Sequence, residues 1–230
     1  QQQRVALARA LVVEPGVVLL DEPLSNLDAR LRLEMREQIQ MLQAEIGVTM
    51  IYVTHDQKEA LAMADRIAVM RRGKVVQVGD PRTLYAHPAD RFVADFVGEI
   101  NLISGEVRDV SESQVRVDSS VGSLVSQCAP DETKKGDPVL CAVRPEAIEF
   151  LEGEPAAEDN IVSGKVRNVV YLGELEQYII DLVDGTSVKL IEHNPAFRKA
   201  KPGDGVSLRF SPQAVNILAG EGEGDRASKV

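Results

Sequence analysis

The sequence contains no tryptophan, and only four Tyr and five Phe, so it has little with which to stack nucleic-acid bases. Basic residues are in deficit. With 26 Lys+Arg against 36 Asp+Glu the formal net charge is -10, which argues against the basic footprint that general nucleic-acid binding requires. The two cysteines, Cys128 and Cys141, lack CxxC spacing and a nearby His pair, so neither a disulfide framework nor a zinc site is indicated and a reducing cytosol fits best. Apolar runs are short, such as Val17-Val18-Leu19-Leu20, far below the roughly 18 residues of a membrane helix. An initiator Met and a signal peptide are also missing. The chain opens on Gln1-Gln2-Gln3 and runs straight into a helical pattern, which reads as a cut within a longer sequence.

What is present is 230 residues, 44% of them hydrophobic, enough for one large or two ordinary globular domains with cores of their own. The charge is unevenly spread: residues 1–98 hold 12 basic and 13 acidic side chains, and residues 99–230 hold 14 and 23. The hydrophobic pattern changes at the same place, which sets a domain boundary near Gly98 to Asn101.

Upstream of that boundary the pattern alternates. Val5, Ala8 and Leu11 recur at helical spacing until Pro15-Gly16, and Val17 to Leu20 form an apolar run expected as a parallel-sheet strand buried on both faces. Leu31, Met35, Ile39, Leu42 and Ile46 then fall on one helix face, with Asp28 as its cap and Gly47 as its stop. Val48 to Val53 read as a second strand, Asp56 and Glu59 as a capping box opening a short helix, and Ile67–Val78 as a hairpin about Arg72-Gly73. Two short helices, 81–86 and 89–96, follow. This order is α/β.

Downstream the chain becomes short β segments and repeats itself. Ser104–Val110 matches Ser163–Val169 at five of seven positions, and 136–153 aligns without gaps on 203–220. The two offsets, 59 and 67 residues, place about eight extra residues in the later copy, expected as a loop at 194–202. Two β units, about 101–153 and 161–220, are expected to form a pair of small barrels, with residues 221–230 as a flexible tail.

The chemistry centres on Asp21-Glu22. Four apolar residues ending in two carboxylates put both acids at the carboxyl end of a buried strand, where ligands of open α/β sheets sit. One acid there can hold a magnesium ion and its neighbour can orient or deprotonate a water; taken alone, the pair fits a turn cap before Pro23 equally well. Ser25-Asn26-Leu27-Asp28 follows at once. The strand ending in Val53-Thr54-His55-Asp56 delivers a histidine to the same sheet edge, where it can hydrogen-bond a terminal phosphate oxygen.

In order and spacing, Gln1-Gln2-Gln3-Arg4-Val5-Ala6-Leu7-Ala8-Arg9-Ala10-Leu11, then Leu19-Leu20-Asp21-Glu22-Pro23-Leu24-Ser25-Asn26-Leu27-Asp28, then Val53-Thr54-His55-Asp56, resemble the second half of an ATP-binding cassette (ABC) transporter ATPase. The resemblance implies a partial P-loop NTPase domain over 1–100. It makes Asp21 the metal-binding acid for Mg2+ and Glu22 and His55 the catalytic pair. Ser25, Asn26 and Asp28 then belong to the D-loop, and Gln1 is the last signature residue, both groups cofactor-binding toward ATP. The implied partners are a second ATPase subunit in a homodimer, two membrane permease subunits and, indirectly, an extracytoplasmic solute-binding protein, with no nucleic acid. The place implied is the cytoplasmic face of a bacterial inner membrane.

The sequence departs from that family in having no GxxxxGK[ST], adenine-stacking aromatic or Gln-loop, so the 230-residue chain alone is expected to have little nucleotide affinity and no hydrolysis. Phe96–Asn101, Val143-Arg144-Pro145-Glu146 and the paired β units resemble an OB-like TOBE domain, over 101–220. Gly98-Glu99-Ile100-Asn101 and Tyr171-Leu172-Gly173 look most like ATPases of spermidine/putrescine importers; iron(III), sulfate and sugar importers are the alternatives, and a non-enzymatic regulatory OB-like module is the alternative of another class. Arg144-Pro145-Glu146 reads as a turn stapled by its own charges, and Arg198, Lys199 and Lys201 as residues that keep a loop soluble.

Overall fold

A computed structural model describes residues 2–153 and 160–220, with side chains from Val5 onward. Gln1 and the expected tail at 221–230 lie outside the described residues. Two compact units divide the chain, Gln1–Ala86 and His87–Val230.

The first unit is α/β. Helix α1 (Gln2–Leu11) leads to strand β1 (Val17–Asp21), helix α2 (Ala29–Ile46), strand β2 (Thr49–Val53), helix α3 (Gln57–Met63), the hairpin strands β3 (Ile67–Arg71) and β4 (Lys74–Gly79), and helix α4 (Pro81–Ala86). β1 and β2 pair in parallel, from Val17 opposite Thr49 to Asp21 opposite Val53, so both strands end at the same edge. The sequence fixes the connecting helix at both ends. The Asp28 carboxylate accepts from the Leu31 amide at 2.9 Å, and Gly47 turns out of the helix at φ 70° with its amide on the Gln43 carbonyl at 2.8 Å.

The core of this unit gathers Leu24, Met35 and Ile39 against Leu7, Leu20, Leu27, Met50, Tyr52 and Met63. Two expectations change here. Val18 is 3% exposed, but Leu19 on the opposite face is 73% exposed, as Val17, Ile51 and Val53 are exposed, so β1 is buried on one face only. The physical reason is coverage: among the described residues, α2 and the loops beside it pack on the face carrying Val18 and Leu20. For the same reason the stripe on α2 is buried at Met35 and Ile39 but exposed at Leu31 and Ile46.

The second unit begins with helix α5 (Arg91–Val97), capped by Asp90 on the Val93 amide at 2.8 Å, and is otherwise β apart from two 3-10 turns, Pro145–Ala147 and Pro212–Ala214. Its strands are β5 (Asn101–Val110), β6 (Val115–Ser119), β7 (Gly122–Ser126), β8 (Pro138–Val143), β9 (Glu149–Phe150), β10 (Asn160–Tyr171), β11 (Leu175–Leu182), β12 (Ser187–His193), β13 (Gly205–Phe210) and β14 (Val215–Ala219). The unit starts ahead of the composition change at 98–101 because Ala94 of α5 packs with Leu140, Ala142 and Leu218.

Two five-stranded sheets result, ordered β14-β8-β5-β6-β7 and β12-β11-β10-β13-β9. Each repeat therefore sends its last strand into the other's sheet: β9 pairs with β13, and β14 pairs with β8. One apolar core joins both, from Ile103, Val117 and Leu124 to Val162, Tyr178 and Leu208. The repeats match at the bulge of their first strand and at the glycine bonded to it. β5 bulges between Val107 and Asp109 and β10 between Val166 and Asn168; Gly136 and Gly203 donate to the carbonyls of Val107 and Val166 at 2.8 and 2.7 Å. Gly105 and Gly164 are small because an added Cβ would lie 2.7 Å from the carbonyl oxygens of Asp118 and Asp181.

The extra residues of the second copy are not confined to 194–202. Gly105 pairs with Ser119, fourteen residues on, whereas Gly164 pairs with Leu182, eighteen residues on, so half of the insertion lengthens the β10–β11 hairpin. Arg144, expected to staple its own turn, is 8% exposed and donates to the carbonyls of Ala94 and Glu99 at 3.0 and 2.9 Å, tying the turn to the end of α5. Arg198 and Lys199 are likewise held, by Glu176 at 3.3 Å and by Glu192 at 2.9 Å.

Candidate functional site

The site lies where β1 and β2 end. Glu22 continues the ladder by one bond, its amide donating to the Val53 carbonyl at 2.9 Å, and then leaves the strand at φ 42°. A left-handed backbone is uncommon outside glycine and is held by its surroundings. Here Leu24, fully buried, anchors the turn from below, while the Ser25 amide and hydroxyl both bond the Glu22 carbonyl, at 3.3 and 3.0 Å. Burying a leucine contributes about 1.5–3 kcal/mol, which sets the direction in which the turn must close.

On the neighbouring strand, Thr54-His55-Asp56 makes the corresponding exit. The Thr54 hydroxyl accepts from the Asp56 amide at 2.9 Å, and the Asp56 carboxylate caps α3 on the amides of Lys58 and Glu59 at 2.9 and 3.3 Å. Only half of the expected capping box forms. The Glu59 side chain is 3% exposed and turns inward instead, accepting from the Thr54 hydroxyl at 2.9 Å and the Tyr52 hydroxyl at 3.1 Å. Burial, reinforced by the Glu59 charge, pushes the Tyr52 phenol well above its ordinary range, so it stays a hydrogen-bond donor.

These two exits bring Glu22 and His55 together: Glu22 Oε1 lies 3.0 Å from His55 Nδ1. The bond to Glu22, and then its charge, raise the imidazole pKa above its ordinary 6.5. With Nδ1–H donating to the carboxylate, Nε2 is the nitrogen left to meet a ligand. Asp21 is exposed at the last position of β1, opposite Val53. Ser25 and Asn26 are exposed beside it, and Asp28 is spent as the cap of α2. Gln1 is outside the described residues.

No group of three or more His, Cys, Asp or Glu side chains able to hold a metal occurs among the described residues. A single exposed carboxylate still fits magnesium, which keeps much of its water shell and takes one or two protein carboxylates together with substrate phosphates. What the sequence reading missed is the support behind the pair. Arg32, on the second turn of α2, donates to the Leu27 carbonyl at 3.2 Å and to Asp56 at 3.1 Å, and lies 3.6 Å from Glu59. The one available signal was Glu59 at the third position of a capped helix.

Sequence comparisons define the class first. Residues 141–218, within the second unit, match the TOBE domain family. Along nearly its whole length the chain is similar to importer ATP-binding proteins of the ABC type. It is 47% identical over 226 residues to the spermidine/putrescine import ATP-binding protein PotA of Rubrobacter xylanophilus (strain DSM 9941 / JCM 11954 / NBRC 16129 / PRD-1), covering 96% of this chain and 58% of that protein. The PotA of Thermobifida fusca (strain YX) is 43% identical over the same shares of each chain. The Fe(3+) ions import ATP-binding protein FbpC 1 of Rhizobium meliloti (strain 1021) is 44% identical over 96% of this chain and 60% of its own. The chain thus spans about three-fifths of the length of the curated relatives it matches.

Proposed function

We propose that this chain belongs to the ATP-hydrolysing subunit of an ABC importer, a translocase ATPase that couples hydrolysis to solute uptake, with polyamines such as spermidine and putrescine as the solute class. The observation that carries the hydrolytic part is the 3.0 Å contact between Glu22 Oε1 and His55 Nδ1 at the ends of two parallel strands. Residues 1–100 are read as the C-terminal part of the nucleotide-binding domain, and 101–220 as the TOBE domain with its two OB-like repeats.

The Glu22 carboxylate accepts a hydrogen bond from an attacking water and draws its proton, a role worth about 10²–10⁴-fold in rate. His55 in its protonated form is fixed on Glu22 through Nδ1–H, presents Nε2–H toward a terminal phosphate oxygen and stabilises the charge that develops there. Asp21 would hold Mg2+, which, when bound, neutralises phosphate charge. Ser25, Asn26 and Asp28 shape the turn at which a second subunit would meet ATP, and Gln1 would be the signature residue contacting it. The assembly implied is an ATPase homodimer on two permease subunits at the cytoplasmic face of a membrane, fed by a solute-binding protein. Among the described residues no helix is long and apolar enough to cross a membrane, which fits a subunit that attaches to such permeases.

Similarity to both PotA and FbpC 1 within three percentage points leaves iron(III) as the second solute reading. The test is ATP hydrolysis by the full-length protein with its membrane subunits, with labelled putrescine and iron(III) offered in parallel. Hydrolysis stimulated by putrescine uptake supports the reading. Uptake of iron(III) alone replaces the solute, and absence of hydrolysis rejects the enzyme in favour of a regulatory OB-like module.

A further inference from the structure

His55 is 74% exposed in its side chain and touches only Glu22 among the contacts that define the site, so it has little packing of its own to hold it there. Its neighbours are held instead. Thr54 is bonded to the buried Glu59, and Asp56 to Arg32. The same guanidinium reaches the carbonyl of Leu27, in the turn that follows Glu22. One side chain therefore joins the two strand exits on which Glu22 and His55 are carried.

We infer that Arg32, backed by the buried carboxylate of Glu59, is a positioning residue: it locks the 25–28 turn to the 54–56 turn, and so holds His55 opposite Glu22. The inference rests on the reading of Glu22 and His55 as the hydrolytic pair. Three features favour a tether over an ordinary helix-surface ion pair. The fork is divided among three groups: Nη1 goes to Asp56, Nη2 to Leu27, and Nε faces Glu59 at 3.6 Å without reaching hydrogen-bond distance. A planar guanidinium can meet partners in these three directions at once, and a lysine ammonium lacks that fixed geometry. Glu59 is 3% exposed, so its charge depends on the Arg32 pairing and on the two hydroxyl donors. Finally, Leu27 lies half-buried within the 25–28 turn, whose other residues are exposed, so a displacement of that turn reaches the histidine through a single residue.

The charged groups around His55 are Glu22, Asp56 and Glu59, and these enter the test. The ring of His55 is titrated by NMR in the 230-residue chain, in the Arg32→Lys variant and in the Arg32→Met/Glu59→Gln double variant. The double variant removes one cation and one anion together, leaving no unpaired buried carboxylate, and Gln still accepts from Thr54. If the tether acts, the His55 midpoint falls toward 6.5 in both variants while the helical circular dichroism is kept, because the Glu22 bond is lost. Simple removal of a nearby cation would move the midpoint upward, whereas loss of the Glu59 charge by itself lowers it, so the discriminating result is the fall in Arg32→Lys, which keeps both charges. A midpoint unchanged or raised in either folded variant overturns the inference, and Arg32→Lys, which keeps the charge balance, decides it should the double variant not fold. In the full-length protein Arg32→Lys is expected to lower kcat about tenfold with KM nearly unchanged. Should Glu22→Gln turn over normally there, the hydrolytic reading fails while the His55 titration still decides the tether.

Discussion

At the scale of single residues, the Glu22–His55 pair makes a pH prediction with a definite sign. The folded imidazole pKa lies above 6.5, so the contact contributes fully below pH 6.5 and is lost as pH rises through the folded value. Glu22→Ala removes the two largest causes of the shift, and NMR titration of His55 should then return a midpoint lowered toward 6.5; an unaltered midpoint would place the cause elsewhere. The two cysteines give a second prediction. Burial pushes the Cys141 thiol up to about 12, and Cys128, half-buried, is also raised while its thiol donates to the Gln213 carbonyl at 3.3 Å. Alkylation at pH 8 should label Cys128 slowly and leave Cys141 unmodified until the chain unfolds, as mass spectrometry of the peptides would show. The pairing of Glu22 with His55 was legible in the sequence because two consecutive parallel strands share an edge, so residues just past their ends must meet. Arg32 was not legible. Its partners lie at Leu27, Asp56 and Glu59, and nothing in helical spacing says which direction an arginine on a helix's second turn will point.

At the scale of elements, the paired repeats clamp one another through asparagine. Asn101, at the start of β5, bonds both backbone groups of Lys189 on β12 at 2.8 and 2.7 Å; Asn160, at the start of β10, does the same to Val125 on β7 at 2.9 and 2.7 Å. Both asparagines are buried, so each clamp gives a buried side-chain amide its donor and acceptor partners. Asn101→Ala or Asn160→Ala should each cost about 1–3 kcal/mol in urea unfolding, read as a lower midpoint at unchanged slope. A loss below 0.5 kcal/mol, the usual range for a neutral surface change, would show that the clamps are dispensable. The duplication itself was readable from matched Ser-Gly and Gly-Asp segments. Its exchanged end strands were not, because β9 and β14 are short, β9 only two residues, and their partners are set by long-range packing of Phe150 and Ile217 into the shared core.

At the scale of the whole molecule, the exchange has consequences for folding. Residues 87–153 alone contain β9 without β13, and β8 without β14, and supply only part of the apolar core. Expressed alone they should lack dispersed NMR resonances, whereas residues 87–230 should show them; a folded 87–153 would contradict the interlocked arrangement. The first unit is built differently, on a small cluster with one exposed apolar sheet face, which is why the both-faces-buried expectation for β1 did not hold. An uninterrupted apolar run reports that a strand is suited to burial on two sides, and which sides are covered depends on the elements around it. The acid excess noted in the composition falls in residues 99–230, whereas residues 1–98, among which the candidate site falls, are near neutral.

The claim on which the rest depends is that Glu22 activates water in ATP hydrolysis. It is tested most directly by Glu22→Gln in the full-length protein assembled with the proposed membrane subunits, measuring ATP binding and phosphate release on the same preparation. Binding at the wild-type level with phosphate release reduced by about 10² or more is the predicted result. Phosphate release at the wild-type rate would contradict the account.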